Sequence, residues 1–242
     1  MKSVVKLGIM TTLLLFTVSC CFKSVPKFSN PVDLLQQQVP INPESVLFIV
    51  GMDMTTGQQV MGSGIIIESH RKETWALSAA HVCYPEIDNP SINAESKFQM
   101  LAIDFHGEPL PISQIGLDLK KDICIFKIES ASKAFTPLAD KMPLVGSRAF
   151  LGAFPLGTYI PGTIPLFEGF YSGSTNEFSE FTIPVAPGSS GGGIVNSKGE
   201  IIGIVSMKIV GFDNLLLAAR LEDIHALLVA AKENPNRLTI LW

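Results

Sequence analysis

The sequence has little charge and no cluster of basic residues. Only 17% of its 242 residues are charged, and the formal net charge is −4. A nucleic-acid partner requires grouped lysines and arginines that neutralise phosphates, so we expect none here. The four cysteines and four histidines form neither a CxxC pair nor another metal-ligand spacing, so we also expect no metal and no cofactor. The 47% of hydrophobic residues instead favours a globular protein with a sizeable core.

Segments with helical periodicity are also scarce. From Ser45 onward, short runs rich in β-branched and aromatic residues alternate with Gly, Pro, Asn and Asp, which predicts an all-β barrel or sandwich. The runs fall into two sets, at about 44–135 and about 140–220, which suggests two small barrels. The exception is about 221–232, where apolar residues at helical spacing predict a C-terminal packing helix, and 233–242 is then a tail. These apolar residues are Leu221, Ile224, Leu227, Leu228 and Ala231.

The N-terminal residues have the features of an export signal. Lysines near the start precede an apolar stretch at 7–18, which is too short to span a bilayer comfortably. The following segment, Thr17 to Cys21, resembles a bacterial lipoprotein signal, in which a cysteine becomes the lipidated first residue of the mature chain. We favour lipidation at Cys20 over plain secretion, with Cys21 as the competing position.

This interpretation sets the expected location of the protein. Residues 1–19 form the signal peptide, and 20–43, with several prolines and a run of glutamines, form a tether to the folded domain at 44–232. We expect an exported protein that is lipid-anchored in the bacterial cell envelope, with secretion or a periplasmic location as the alternative. Neither route leaves a transmembrane helix in the mature chain.

One short stretch, Pro187 to Gly193, places two serines among glycines between two predicted strands. Glycine permits positive φ angles and close approach to the backbone, so that N–H groups can converge on one point. An oxyanion hole is built in this way. By composition alone, the stretch also fits a flexible linker.

A serine becomes a strong nucleophile only when a base takes its proton and a third group orients the base. His81 follows a predicted strand and two alanines, and Asp122 stands at the start of a predicted buried strand. Taken singly, each residue is also compatible with an ordinary structural or turn role.

Together these contexts resemble the trypsin-like serine peptidases at three separated places. The matching segments are Leu77 to Val82 around the histidine, Asp122 to Ile128 at the aspartate, and Gly188 to Gly192 at the serine. The segment Gly62 to Ile66 is similar to the Gly-x-Gly strand that precedes the histidine, and the order His, Asp, Ser is that of the family. The resemblance is strongest to the bacterial HtrA-type branch, without the PDZ domain that often follows in that branch.

The resemblance implies two six-stranded antiparallel β-barrels and a set of roles. Ser190 would be the nucleophile, His81 the general acid/base and Asp122 its orienting partner. The backbone N–H groups of Gly188 and Ser190 would form the oxyanion hole. The strand that pairs with the substrate backbone would contain Ser206, Met207 and Lys208.

The sequence departs from the family at two loop positions. Ser189 replaces an aspartate that is common in digestive members, which makes a proteolytic zymogen switch of that kind unexpected. Gly193 replaces a proline, and we expect its extra freedom to leave the loop less ordered until substrate binds. No aspartate stands in 182–186, near the expected specificity pocket, so we expect small or apolar residues on the acyl side of the scissile bond.

Cys83 and Cys124 remain as an even pair in an exported protein, where a disulfide is possible. Each lies among apolar neighbours, so we expect two buried thiols rather than a bridge.

The sequence thus predicts a serine endopeptidase that acts on protein or peptide substrates, and two alternatives remain. The loop also satisfies G-x-S-x-G, the nucleophile elbow of α/β-hydrolases, which would make the protein an esterase or lipase. That fold needs a helix directly after the serine, and Gly191-Gly192-Gly193 is a poor helix start. The second alternative is a non-catalytic lipoprotein that uses the barrels as a binding or scaffold module.

Overall fold

The computed structural model describes residues 39–70, 73–85, 98–129, 134–209, 211–212, 214–233 and 239–241. The predicted signal peptide, most of the predicted tether, and both candidate lipidation sites, Cys20 and Cys21, lie outside these residues. Within the described ranges, no helix is long and apolar enough to cross a membrane.

The first barrel is formed by the strands in the N-terminal half. These are β1 (Val46–Asp53), β2 (Gln59–His70), β3 (Glu73–Ser78), β4 (Phe98–Ile103), β5 (Pro109–Asp118) and β6 (Ile123–Ile128). Neighbouring strands are antiparallel in the order β4-β1-β2-β3-β6-β5, and pairing of β5 with β4 closes the barrel. The short helix α1 (Ala80–Cys83) follows β3 directly.

The second barrel is formed by the strands that follow. They are β7 (Arg148–Gly152), β8 (Leu166–Ser174), β9 (Ser179–Thr182), β10 (Gly193–Val195), β11 (Ile201–Lys208) and β12 (Leu216–Arg220). The closed order is β10-β11-β12-β9-β8-β7. Helix α2 (Leu221–Glu233) comes after β12 and buries the predicted apolar stripe. The predicted fold class, two six-stranded antiparallel barrels with a C-terminal helix, is confirmed.

The strands bury side chains on both faces, which explains their nearly continuous apolar runs. In β1, Leu47 and Ile49 point into the interior of the first barrel. The alternate residues Val46 and Phe48 belong to a second core, between the barrels, that also contains Phe154 of the second half. Because side chains alternate along a strand, one run supplies both cores. The inter-barrel core therefore fixes one barrel against the other.

The C-terminal segment 233–242, which the sequence predicts to be a tail, contains a further strand, β13 (Thr239–Leu241). It pairs in parallel with Gly116–Asp118 of β5. Three residues are too few to show the alternation by which a strand is predicted from sequence. The strand adds to the part of β5 with which β4 does not pair.

Cys83 and Cys124 form a disulfide, with their Cα atoms 6.3 Å apart, so the prediction of two buried thiols is wrong. Both cysteines are buried, as expected from their apolar neighbours. Those neighbours could not show that the two sulfurs face each other. Cys83 ends helix α1, and Cys124 lies in β6 beside it, at a Cα separation that suits a bridge.

Candidate active site

The serine loop, Pro187 to Gly193, is held by backbone hydrogen bonds and is not a flexible linker. Gly191 donates its N–H to the carbonyl of Val205 at 2.8 Å, and Val205 donates its N–H to the carbonyl of Gly192 at 3.0 Å. Within the loop, Ser189 donates its N–H to the Ala186 carbonyl, and Gly192 donates its N–H to the Ser189 carbonyl, both at 3.0 Å. The loop therefore extends the pairing with β11 to residues that precede the first residue of β10.

Two N–H groups of this loop remain open. Among the described residues, no atom accepts a hydrogen bond from the N–H of Gly188 or of Ser190. Leu156 donates its N–H to the Pro187 carbonyl at 2.6 Å. In a trans peptide the N–H points opposite to the carbonyl, so the Gly188 N–H is directed away from Leu156. Two open N–H groups two residues apart are suited to hold a negatively charged oxygen.

Gly188 must be glycine to adopt this conformation. Its φ is +93°, in the left-handed region that glycine enters without a steric cost. A Cβ atom at this position would lie 2.7 Å from the Phe154 carbonyl oxygen. The orientation of the open N–H thus depends on the missing side chain.

His81 and Asp122 lie in direct contact. The Nδ1 atom of His81 is 3.0 Å from Oδ1 of Asp122 and 2.9 Å from Oδ2. The backbone N–H of His81 also donates to Oδ1 at 3.0 Å. The side chains are 23% and 18% exposed, so solvent reaches the pair only partly. The carboxylate fixes the ring through Nδ1, so the other ring nitrogen, Nε2, faces away from it.

Ser206 is the second residue whose polar groups contact this carboxylate. Its buried hydroxyl donates to Oδ2 of Asp122 at 2.5 Å. A bulge between Val205 and Met207 interrupts the pairing of β11 with β12 at this residue. The sequence predicted Ser206 as part of the substrate-binding strand and missed this side-chain contact.

Met207 and Lys208, the other predicted substrate-binding residues, are exposed at the end of β11. On one side they pair with Leu217 and Leu216 of β12. On the other side, the pairing with β10 ends at Ile204. In the described part of the chain, no strand pairs with Ser206 and Met207 on that side.

The serine loop packs against the elements that carry the histidine. A Cβ atom on Gly191 would lie 2.1 Å from the Ser63 carbonyl oxygen and 2.9 Å from the Ala79 nitrogen. A Cβ on Gly62 would lie 2.6 Å from the Val82 side chain and 3.2 Å from the Ser190 carbonyl oxygen. The three predicted triad residues therefore stand on elements that meet at the junction of the two barrels.

The two departures from the family pattern have structural roles. Ser189 is buried, and its hydroxyl accepts the Ala186 N–H at 3.4 Å, which closes a turn. Gly193 lies in β10, paired with Ile204 on one side and Gly152 on the other. A Cβ there would lie 2.5 Å from the Ile65 side chain. Gly193 therefore serves close packing, and the lower order of the loop before substrate binds stays a prediction.

A cavity of about 190 Å³ opens beside Ser190. Its described lining contains no carboxylate. The lining residues are Val185, Ala186, Pro187, Ser189, Ser190, Val205, Met207 and Lys208. Elsewhere, no group of three His, Cys, Asp or Glu side chains that could hold a metal occurs among the described residues.

The two closed barrels, with a histidine, an aspartate and a serine loop at their junction, define a trypsin-like architecture. The sequence model of the trypsin-like peptidase domain matches residues 62–204, which is more than half of the chain. The protein belongs to this family of serine protease hydrolases.

Two curated relatives show how far the similarity extends. The chain is 26% identical over 164 residues to the serine protease Do-like HtrA of Lactococcus lactis, a match that covers 61% of this chain and 37% of that protein. It is 29% identical over 107 residues to the uncharacterized protein y4bJ of Sinorhizobium fredii, which covers 41% and 16%. The chain thus spans well under half the length of these relatives.

Solved structures share the fold at low identity. A serine endoprotease from Yersinia pestis has a TM-score of 0.66 at 18% identity, over 82% of this chain and 66% of that chain. The HtrA-type protease AlgW with tripeptide has a TM-score of 0.63 at 19% identity, over 80% and 62%.

The packing of the serine loop can be tested with two glycine substitutions. Gly191 and Gly146 both have positive φ, +84° and +86°, but a Cβ on Gly146 would meet nothing within 4 Å. We expect Gly146→Ala to cost about 1–2 kcal/mol of unfolding free energy from backbone strain alone. Gly191→Ala should cost about 1–3 kcal/mol more, because the new atom overlaps Ser63. Urea denaturation of both variants measures the difference, and equal losses would contradict the close packing.

Proposed function

We propose that the protein is a serine endopeptidase that hydrolyses peptide bonds of protein substrates through an acyl-enzyme. Ser190 is the nucleophile, His81 the general acid/base and Asp122 the residue that orients the histidine. The observation that carries this proposal is the combination of the His81–Asp122 contact with a serine loop that leaves two N–H groups open. The names of the relatives, which include serine proteases, support the same reaction class.

In the first half of the reaction, Ser190 Oγ bonds to the carbonyl carbon of the substrate while Nε2 of His81 takes the hydroxyl proton. The histidine then gives this proton to the leaving nitrogen, and the C–N bond breaks. In the second half, a water molecule gives a proton to His81 and bonds to the ester carbon. The bond between that carbon and Ser190 Oγ then breaks, and His81 returns the proton to Ser190 Oγ, so the serine hydroxyl and the neutral imidazole are both regenerated.

Asp122 and the open N–H groups stabilise the charges that develop on this path. The Asp122 carboxylate lies against Nδ1, where it stabilises the transient imidazolium, and the Ser206 hydroxyl holds that carboxylate in place. The negatively charged oxygen of the tetrahedral intermediate accepts hydrogen bonds from the N–H groups of Gly188 and Ser190. The loss of one such donor typically costs about 3 kcal/mol of transition-state stabilisation.

The edge of β11 at Ser206 and Met207, which no described strand covers, supports a role for Ser206, Met207 and the neighbouring Lys208 in substrate binding. An extended peptide that adds to this edge would gain backbone hydrogen bonds. The cavity beside Ser190 would then receive the side chain on the acyl side of the scissile bond. Its volume and its walls of Val185, Ala186 and Val205 favour a small apolar side chain.

Of the two alternative functions, the fold argues against the α/β-hydrolase, whereas the non-catalytic scaffold is decided by experiment. The α/β-hydrolase elbow requires a helix after the serine, whereas a strand, β10, follows Ser190 and the fold is two barrels. A non-catalytic scaffold with a peptidase fold remains the competing outcome of the first experiment.

We expect a fluorophosphonate probe to label the purified wild-type protein, because the probe reacts with an activated serine hydroxyl. Ser190→Ala should abolish labelling and lower casein hydrolysis by about a million-fold. Ser197→Ala, which removes an exposed serine in the turn between β10 and β11, is the matched control and should leave both unchanged. Absence of labelling in the wild type would favour the scaffold, and labelling with hydrolysis of esters but not of peptides would favour an esterase.

The specificity proposal predicts the order of cleavage in a series of fluorogenic peptides that differ only at the acyl-side residue. Alanine and valine peptides should exceed arginine and glutamate peptides by about tenfold or more in kcat/KM. Val185→Ala, which enlarges the cavity, should shift the preference toward leucine, whereas Val145→Ala, at an exposed valine outside the cavity, should not. A preference of the wild type for arginine would contradict the proposal.

We further propose that the chain is exported and lipid-anchored at Cys20, on the basis of the sequence alone. In a bacterial host, an alkyne-tagged fatty acid should label the full-length protein, and Cys20→Ser should abolish labelling while Cys21→Ser should not. The reverse pattern would assign the anchor to Cys21. Absence of labelling in all three proteins would favour secretion without an anchor.

A further inference from the structure

Ser63 is a buried serine of β2 that faces the serine loop of the other barrel. We propose that Ser63 is a positioning residue for the oxyanion hole: it fixes the backbone of Gly188 and Ser190 so that their N–H groups converge. The effect on catalysis rests on the function proposed above, whereas the effect on the loop does not.

All three polar groups of Ser63 are used in contacts around the site. Its hydroxyl donates to the Gly188 carbonyl at 2.8 Å and accepts the Phe154 N–H at 2.9 Å. Its backbone N–H donates to the Ser190 carbonyl at 2.8 Å. Its carbonyl accepts the Ser78 hydroxyl at 2.7 Å, three residues before His81. A single residue thus joins the serine loop, the segment that follows β7 and the strand that leads to the histidine.

These contacts fall on the two residues that carry the open N–H groups. Gly188 and Ser190 each have their own carbonyl held by Ser63, one by the hydroxyl and the other by the N–H. A held carbonyl fixes the peptide plane that follows its residue. The planes that carry the open N–H groups are held by the bonds from Leu156 to the Pro187 carbonyl and from Gly192 to the Ser189 carbonyl. With the planes on both sides held, Gly188 and Ser190 cannot rotate freely about their Cα atoms. At Gly188 this restraint matters most, because a glycine can reach other backbone conformations without steric cost.

The hydroxyl also sets the distance between Gly188 and Phe154. It stands between the Gly188 carbonyl and the Phe154 N–H, and a Cβ on Gly188 would already lie 2.7 Å from the Phe154 carbonyl. Phe154 is itself fixed in the inter-barrel core, edge-on to Phe48. The Ser63 hydroxyl thereby links the serine loop to the inter-barrel core. An alanine at position 63 keeps the N–H contact with Ser190 and removes only the hydroxyl bridge.

The experiment compares Ser63→Ala with a matched control, Ser45→Ala. Ser45 is equally buried, and its hydroxyl also makes two contacts, with the Asn42 carbonyl and with Thr136 Oγ1, both at 2.7 Å. It belongs to the turn before β1, away from the serine loop. A general loss of stability from a buried serine would therefore appear in both variants, and thermal denaturation measures it.

The first measurement is amide hydrogen exchange in the loop, which does not depend on activity. The N–H groups of Ser189, Gly191 and Gly192 are all bonded in the structure. We expect their protection to fall by about tenfold or more in Ser63→Ala and to stay unchanged in Ser45→Ala. Unchanged protection in Ser63→Ala, or an equal loss in both variants, would overturn the positioning role.

The second measurement is the split between kcat and KM, together with inhibition by a peptide boronic acid, whose tetrahedral adduct uses the oxyanion hole. In Ser63→Ala we expect kcat to fall by about 10- to 100-fold with little change in KM. The inhibition constant of the boronic acid should rise by the same factor as kcat/KM falls. A rise in KM with kcat unchanged would show that Ser63 acts on substrate binding and would overturn the proposal.

The two measurements separate this inference from the proposed function. A wild-type protein that neither labels nor hydrolyses, but whose loop loses protection in Ser63→Ala, would overturn the peptidase proposal and support the positioning of the loop. An active wild type whose Ser63→Ala variant keeps both its protection and its kcat would overturn the role of Ser63 alone.

Discussion

The site depends on how closely the serine loop of the second barrel approaches β2 of the first. Gly191 lies so near the Ser63 carbonyl that any side chain there would overlap it, and Gly62 allows the same approach from the opposite side. Neither barrel forms the site alone, because the serine stands on one and the histidine on the other. The inter-barrel core, to which both barrels contribute large side chains such as Phe48 and Phe154, keeps that distance fixed. The hydrophobic effect that forms this core is not directional, but it keeps the two barrels in the position that the directional hydrogen bonds of the site require.

Two crosslinks of different kinds hold the His81–Asp122 pair. The disulfide joins Cys83 and Cys124, each two residues beyond a member of the pair, so α1 and β6 are tied covalently beside the contact. Ser206 then reaches the Asp122 carboxylate from the second barrel. The first link acts within one barrel and the second between barrels. The orientation of the imidazole is therefore set by both halves of the chain.

The architecture could be predicted from the sequence because strands, turns and short motifs depend on residues that are close together in the chain. Runs of β-branched residues between turn residues indicated strands, and three short motifs together indicated the family. The contacts across the chain could not be predicted in the same way. Apolar neighbours showed that Cys83 would be buried but not that it faces Cys124, and a serine between two glycines gave no sign that Ser63 bonds to Gly188. The role of Ser206 was missed because a bulge, which has no sequence signature here, turns its side chain toward Asp122.

The glycines of the serine loop illustrate why composition misleads. A run of glycines usually indicates flexibility, since glycine has the widest choice of backbone conformations. Here Gly191 and Gly193 are required where backbone or side chains of the first barrel come too near for a Cβ atom, and Gly188 is required by both its φ and its contact with Phe154. Ser189 is neutral and therefore needs no cationic partner, and its buried hydroxyl accepts the Ala186 N–H and closes a turn. The order of the loop therefore comes from backbone hydrogen bonds and close packing within the two barrels, and it is complete without a charged partner from elsewhere in the described chain.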